Sequence, residues 1–140
     1  MEKILILKTA SDIIVDNLLE KLLHQNNEKI CMIQTSARAK FEKKYPNVKF
    51  IDIKKEGFYE IADEILQPIQ KMKFERIYIP TTGTRANNFG NILKLCNELN
   101  FKELFFYNSN GEENIVKKKT AFIEWMIKNY IELIELFYKK

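Results

Sequence analysis

Residues 3–25 read KILILKTASDIIVDNLLEKLLHQ, and this stretch decides the predicted fold. Its first part, residues 3–8, is a short apolar run that predicts a buried strand. From Asp12 to Gln25 the apolar residues recur at helical spacing, which predicts an amphipathic helix. We expect the apolar face of this helix to contain Ile13, Leu18, Leu19, Leu22 and Leu23. A strand followed at once by such a helix is typical of a βαβ unit.

The same alternation continues along the chain. Further strands are predicted at 29–34, 48–53, 74–79 and 102–108, with helices at 35–45, 57–72 and 85–99 between them. We expect Pro46 to stop the second helix and Pro68 to kink the third or end it early. SNGEEN, residues 109–114, is predicted to be a turn or loop, and Lys117 to Tyr138 a long last helix.

This alternation predicts an α/β protein with a parallel sheet. Right-handed crossovers favour a three-layer Rossmann-like or flavodoxin-like fold with five parallel strands in the order 3-2-1-4-5 and a long C-terminal helix. No internal repeat or linker is visible, so residues 1–140 are predicted to form a single domain.

The composition favours a soluble globular protein, with 46% hydrophobic residues, 30% charged residues and a net charge of +4. The positive charge is modest and spread out, so DNA binding is not expected. No stretch is long and apolar enough for a transmembrane helix, and no signal peptide is visible, so we expect a cytoplasmic protein.

Cys31 and Cys96 lie inside apolar segments and belong to no C-x-x-C pair, so buried, reduced thiols are favoured over a disulfide. The single histidine, His24, has no histidine or cysteine partner at metal-ligand spacing. We therefore expect neither a metal nor a cofactor.

The predicted strand order reverses between the first and fourth strands, and ligands of such folds bind outside the carboxyl ends of the strands at that point. Two loops would line the crevice, KTASD (8–12) and PTTGTR (80–85). Both are rich in hydroxyl groups, and the amides at the start of a helix favour phosphate or carboxylate. The predicted ligand-binding residues are Thr9, Ser11, Thr81, Thr82, Gly83, Thr84, Arg85 and Asn87.

A ligand-free interpretation remains open for each loop. Threonine and glycine are ordinary residues for a strand-to-helix turn, and the region matches neither G-x-G-x-x-G nor G-x-x-x-x-G-K-[ST]. Ser11 or Asp12 could cap the first helix, although a carboxylate at this point could also be a general base. In the loop QTSAR (34–38), Thr35 or Ser36 is expected to cap a helix and Arg38 to be a surface charge.

The last helix is apolar over a wide arc, with Glu124, Lys128, Glu132 and Glu135 confined to one stripe. Three alternatives stay open. The helix could pack on its own sheet, pair with another chain as a homodimer or complex, or lie on a membrane surface as a peripheral contact.

ILILKTASDIIVDNLLEKL (4–22), YPNVKFIDIKK (45–55) and FERIYIPTTG (74–83) resemble the N-terminal Rossmann half of ADP-heptose-type glycosyltransferases. FFYNSNGEE (105–113), ahead of an aromatic helix, resembles small proteins of bacterial polysaccharide clusters. The glycosyltransferase resemblance implies that Asp12 is the catalytic base for the acceptor hydroxyl. Ser11 and Leu18 depart from the family's usual glycine and proline, and the donor-binding second half is missing.

The resemblance therefore implies a free-standing glycosyltransferase-like half, or an accessory protein, in cell-surface polysaccharide biosynthesis. Any sugar transfer would need a partner glycosyltransferase chain. Residues 4–12 and 81–88 also resemble the two ligand loops of CRISPR-associated Rossmann sensors of cyclic oligonucleotides. That second resemblance implies a nucleotide-binding sensor module, and a non-catalytic docking module is a third expectation.

Overall fold

The computed structural model describes residues 2–58, 60–81 and 89–117. Strands and helices alternate along this part of the chain, as the sequence predicts. The strands are β1 Lys3–Leu7, β2 Glu28–Ile33, β3 Lys49–Asp52, β4 Lys73–Pro80, β5 Asn100–Tyr107 and β6 Glu113–Lys117. The helices are α1 Asp12–Leu22, α2 Thr35–Lys44, α3 Asp63–Gln70 and α4 Phe89–Asn97.

The strands form one sheet in the order β3-β2-β1-β4-β5-β6. The first five strands are parallel, which confirms the predicted order 3-2-1-4-5. In the register, Leu5 of β1 lies between Ile30 of β2 and Ile77 of β4. The chain therefore leaves β1 in one direction through β2 and β3, and returns to the other side of β1 at β4.

Two apolar clusters, one on each face of the sheet, confirm the three-layer architecture. One cluster contains the buried residues of α1 and α2, and the other contains those of α3 and α4. Residues 4–7 of β1 are completely buried, because a central parallel strand is covered on both faces. At about 1.5–3 kcal/mol for each fully buried large apolar side chain, this strand is a major source of stability.

The apolar face of α1 differs from the prediction. Ile13 is 74% exposed and Leu23 is 40% exposed, so neither belongs to the core. The buried residues of α1 are Ile14, Val15, Leu18, Leu19 and Leu22. The run Ile13-Ile14-Val15 offers two overlapping apolar stripes, and the stripe that includes Ile14 and Val15 faces the sheet.

The third helix is shorter than predicted at both ends. It begins at Asp63 rather than Gly57, and Glu60 just before it has a φ of 48° that no regular helix allows. It ends at Gln70, two residues after Pro68. Pro68 lies inside the helix and has no amide hydrogen to donate to the carbonyl of Glu64, so it weakens this short helix.

β6 was not predicted. Residues 109–114 were expected to form a turn or loop and Lys117 to begin a helix, but Glu113–Lys117 pairs antiparallel with β5. ENIVK contains few apolar residues, and Ile115 stays 50% exposed, so the strand has little hydrophobic signature. The remainder of the predicted last helix, residues 118–138, lies outside the described residues.

Both cysteines are buried and free, in agreement with the prediction of reduced thiols. Cys31 belongs to the cluster on the α1 and α2 face, whereas Cys96 belongs to the opposite cluster. The sheet therefore separates them. Burial raises the pKa of the Cys31 thiol to about 12.

Candidate functional site

The two loops predicted to line the crevice meet at the carboxyl edge of the sheet. The Thr9 hydroxyl donates a hydrogen bond to the carbonyl oxygen of Pro80 at 2.6 Å, and it also lies 3.3 Å from the carbonyl oxygen of Leu7. Thr81 continues from β4, and its amide donates to the carbonyl of Tyr107 on β5 at 2.7 Å. The hydroxyl of Thr9 thus joins the ends of two strands that are far apart in sequence.

The rest of the second loop is not part of the described chain. Thr9, Ser11 and Thr81 are described, whereas Thr82, Gly83, Thr84, Arg85 and Asn87 are not. An anion-binding role for the second loop therefore stays a prediction.

Ser11 and Asp12 stand at the start of α1. Ser11 occupies the N-cap position with an extended backbone, but its side chain makes no capping hydrogen bond. The hydroxyl is exposed at the carboxyl edge, where it is free to meet a ligand.

Asp12, the candidate base, is held by two lysines. Its Oδ1 atom lies 2.8 Å from Lys8 Nζ, and its Oδ2 atom lies 3.2 Å from Lys40 Nζ. The hydrogen bond from Lys8 is the main reason why the pKa of Asp12 is lowered, and it outweighs the opposing effect of burial. The carboxylate is therefore ionised at neutral pH, but a lowered pKa makes it a weaker proton acceptor.

Lys8 is a site residue that sequence reasoning missed. It is only 8% exposed, and its ammonium group donates to the carbonyl of Ala10 at 3.1 Å besides pairing with Asp12. The same group lies 5.9 Å from the centre of the Phe41 ring. A lysine at the very end of the apolar run 3–8 was the available signal, because only a strand's end could place its charge near solvent.

Gln34 is the second missed residue, and it corrects the expected helix cap. Gln34, rather than Thr35 or Ser36, is the N-cap residue of α2. Its Nε2 atom donates to the carbonyl of Lys8 at 2.7 Å, which links the ends of β1 and β2. Its Oε1 atom is buried and accepts no hydrogen bond from any described residue. A buried acceptor without a donor is costly, and the structure shows no described group that offsets this cost for Gln34.

The hydroxyls of Thr35 and Ser36 instead reach the region after β3. They donate to Asp52 Oδ1 at 2.7 Å and to Glu56 Oε2 at 3.1 Å, respectively. Burial opposes ionisation of Asp52, but the bonds from Thr35 and the Lys54 amide lower its pKa overall. These contacts fix the loop after β3 beside α2.

Arg38 is exposed and pairs with Glu42 at 2.5 Å, which confirms the expected surface charge.

Asp16 lies in the narrow gap between α1 and α2, half-buried and paired with Lys44 at 2.6 Å. This gap, which the side chains of Asp12 and Lys40 also line, holds only about 80 Å³. That volume is well below roughly 300 Å³, the usual lower limit for a small-molecule pocket.

Among the described residues, no group of three or more histidine, cysteine, aspartate or glutamate side chains is arranged to hold a metal ion. Within the same residues, no helix has both the length and the hydropathy needed to cross a membrane. Comparison with known proteins gave no match to a family model, a curated protein or a solved structure.

Proposed function

We propose that this chain is a ligand-binding, glycosyltransferase-like half, or an accessory to a glycosyltransferase, in cell-surface polysaccharide assembly. It binds a phosphate-containing ligand of the nucleotide-sugar class at the carboxyl edge between β1 and β4. For any sugar transfer, a partner glycosyltransferase chain would supply the donor-binding half.

One observation carries the proposal, namely that polar side chains lie at the carboxyl ends of β1 and β2, beside the point where the strand order reverses. The Thr9 hydroxyl, the exposed Ser11 hydroxyl and the buried Oε1 atom of Gln34 all belong to the carboxyl ends of β1 and β2 or the residues just after them. In open parallel sheets this crevice is the general ligand position. The sequence of the second loop, with three hydroxyls, a glycine and an arginine, adds groups suited to an oxyanion.

The ion pairs of Asp12 favour a second candidate, a nucleotide-binding sensor without catalysis. A carboxylate shared by Lys8 and Lys40 is a poor proton acceptor but a stable structural charge. A sensor needs a binding crevice and no general base. The two candidates predict different ligands for the same crevice.

Thermal unfolding of the full chain distinguishes the candidates. The probes are UDP-glucose, ADP-glucose, cyclic tetra-adenylate and inorganic phosphate. A ligand present at 100 times its Kd stabilises the folded state by about 2.7 kcal/mol, which raises Tm by several degrees. We expect a rise with a nucleotide sugar. A rise with cyclic tetra-adenylate alone would establish the sensor instead, and no rise with any probe would contradict ligand binding.

A variant and its control locate the bound ligand. Thr9→Val removes the hydroxyl that joins the two loops, so we expect the ligand-induced rise in Tm to shrink by at least half. Ser36→Ala removes an exposed hydroxyl that donates a hydrogen bond to Glu56 in the neighbouring loop, so the ligand-induced rise in Tm should persist. If both variants reduced the ligand-induced rise in Tm equally, the ligand would not be bound beside Thr9.

A further inference from the structure

A cavity of about 450 Å³ lies between α3 and α4, on the face of the sheet opposite α1 and α2. Its volume falls within the range of roughly 300–1,000 Å³ that is typical of small-molecule pockets. The described residues proposed for the crevice between β1 and β4, namely Thr9, Ser11 and Thr81, do not line it. The lining residues are Phe58, Glu60, Ile61, Asp63, Leu66, Asn91, Lys94, Leu95 and Glu98.

The floor of this cavity is apolar. It is formed by the side chains of Phe58 and Ile61 from the loop after β3, Leu66 from α3 and Leu95 from α4. All four belong to the core cluster of this face, so the floor is part of the packed interior. Such a floor suits the hydrocarbon or aromatic part of a ligand.

The rim of the cavity carries an excess of negative charge. Three carboxylates, those of Glu60, Asp63 and Glu98, line the cavity together with one ammonium group, that of Lys94. All four side chains are exposed, and none of them forms an ion pair with another described residue. A further ammonium group, that of Lys55, donates to the carbonyl oxygen of Glu60 at 2.6 Å, so the carboxylates outnumber the ammonium groups by one and favour a cation over phosphate.

The spacing of the carboxylates argues for an organic cation rather than a metal ion. Although Glu60, Asp63 and Glu98 line one cavity, they do not form a group close enough to coordinate a metal. An ammonium group needs no such coordination, since it can approach one or two carboxylates while its apolar part covers the floor.

We propose that the cavity between α3 and α4 binds a small organic cation, in which an amine is joined to an apolar group. The apolar part contacts Phe58, Ile61, Leu66 and Leu95, and the ammonium group lies among Glu60, Asp63 and Glu98. Lys94 competes with the ligand's charge and limits the affinity.

Titration of the full chain, observed by ¹H–¹⁵N NMR, tests the proposal with a matched pair of probes. The probes are 3-phenylpropylamine, a cation, and 3-phenylpropionate, an anion of similar size. We expect the amine to shift the amide signals of Leu66, Lys94 and Leu95 in a saturable manner, at a concentration at least fivefold lower than the anion requires. Equal shifts with both probes, or none with the amine, would overturn the proposal.

Charge variants give effects of opposite sign. Glu98→Gln should weaken amine binding about threefold, the size of effect typical of an exposed ion pair. Lys94→Gln should strengthen it by a similar factor. Glu64→Gln is the control, because Glu64 lies on α3 next to Asp63 but does not line the cavity. An unchanged affinity in both Glu98→Gln and Lys94→Gln, with the amide spectrum intact, would also overturn the proposal.

Discussion

Tyr45 joins α1 to α2 through its hydroxyl group. The ring is buried at the end of α2, and the hydroxyl donates to the carboxylate of Asp16 on α1. Glu20 Oε1 lies 3.1 Å from the same hydroxyl. Burial and the neighbouring Asp16 carboxylate raise the pKa of Tyr45, so the hydroxyl remains a donor at every physiological pH.

We therefore predict that Tyr45→Phe destabilises the protein by about 1.5–3 kcal/mol, which is typical of a lost hydrogen bond to a charged partner. The phenylalanine keeps the buried ring, so the loss reports on the hydroxyl alone. Urea unfolding at pH 7 measures it. Tyr107→Phe is the matched control, because the Tyr107 hydroxyl makes no hydrogen bond to a described residue, and it should change the free energy by less than about 0.5 kcal/mol. A similar loss in both variants would disprove the special role of Tyr45.

Single residues at the site were the hardest to predict from the sequence. The bonds from Gln34 to Lys8 and from Thr9 to Pro80 join residues 26 and 71 positions apart. Sequence patterns reveal which residues end a strand, but not which strand ends share a hydrogen bond. The crevice could thus be located from the strand order, whereas the hydrogen-bond partners of Lys8 and Gln34 became visible only once the strands were paired.

At the scale of elements, the β5–β6 hairpin was not predicted because the sequence of β6 has only a weak strand pattern. Its turn depends on Asn108, whose Oδ1 atom accepts hydrogen bonds from the amides of Asn110 and Glu112, both at 3.0 Å. Gly111 completes the turn with a φ of 78°. The glycine was a visible turn signal, but the polar strand after it was not.

We predict that Gly111→Ala destabilises the protein by about 1–2 kcal/mol, because an alanine at this positive φ is strained. Space is not the cause, since an added Cβ would meet only the Tyr107 hydroxyl oxygen, at 3.7 Å. Gly111→Asn should cost less, because asparagine tolerates this backbone conformation better. Urea unfolding of the two variants measures the difference, and an asparagine variant as unstable as the alanine variant would contradict the conformational explanation.

The helices also show what could and could not be predicted from the sequence. The helical period of α1 was predicted correctly, but its rotation was not, because Ile13, Ile14 and Val15 are all apolar and only two of them can face the sheet. For α3, Pro68 correctly indicated an early end. Helix-breaking residues can therefore be recognised in the sequence. The sequence shows less clearly which of two similar apolar faces of a helix becomes buried.

At the scale of the whole molecule, the fold could be predicted because the central strands are buried on both faces. In a chain where short apolar runs alternate with predicted helices, a run such as residues 3–8 is best explained as a buried parallel strand. The strand order then follows from right-handed crossovers. The added antiparallel edge strand escapes this reasoning, since an edge strand needs neither two buried faces nor a crossover.

The pH dependence of stability is also a property of the whole molecule. The pKa values of Asp12, Asp16 and Asp52 are all lowered in the folded chain, mainly by hydrogen bonds and lysine or arginine neighbours that overcome burial. A carboxyl group with a lowered folded pKa contributes stability above its unfolded pKa, and that contribution is lost as the pH falls through the folded value.

We predict that the urea midpoint declines as the pH falls through the ordinary aspartate value of 3.8 and below it. Asp16→Asn should be less stable than the wild type at pH 7 but should show a shallower acid decline. Unfolding curves between pH 7 and about pH 3 measure both slopes. An identical slope in wild type and variant would exclude a contribution from Asp16.

The two buried thiols have a practical consequence for experiments on this protein. Cys31 and Cys96 are the only cysteines in the sequence, and both are enclosed in the core. Because the thiolate is the reactive form, a Cys31 pKa of about 12 leaves that sulfur unreactive at neutral pH. A cysteine introduced on an exposed helix position would then carry a fluorophore or spin label selectively, without removal of either native cysteine.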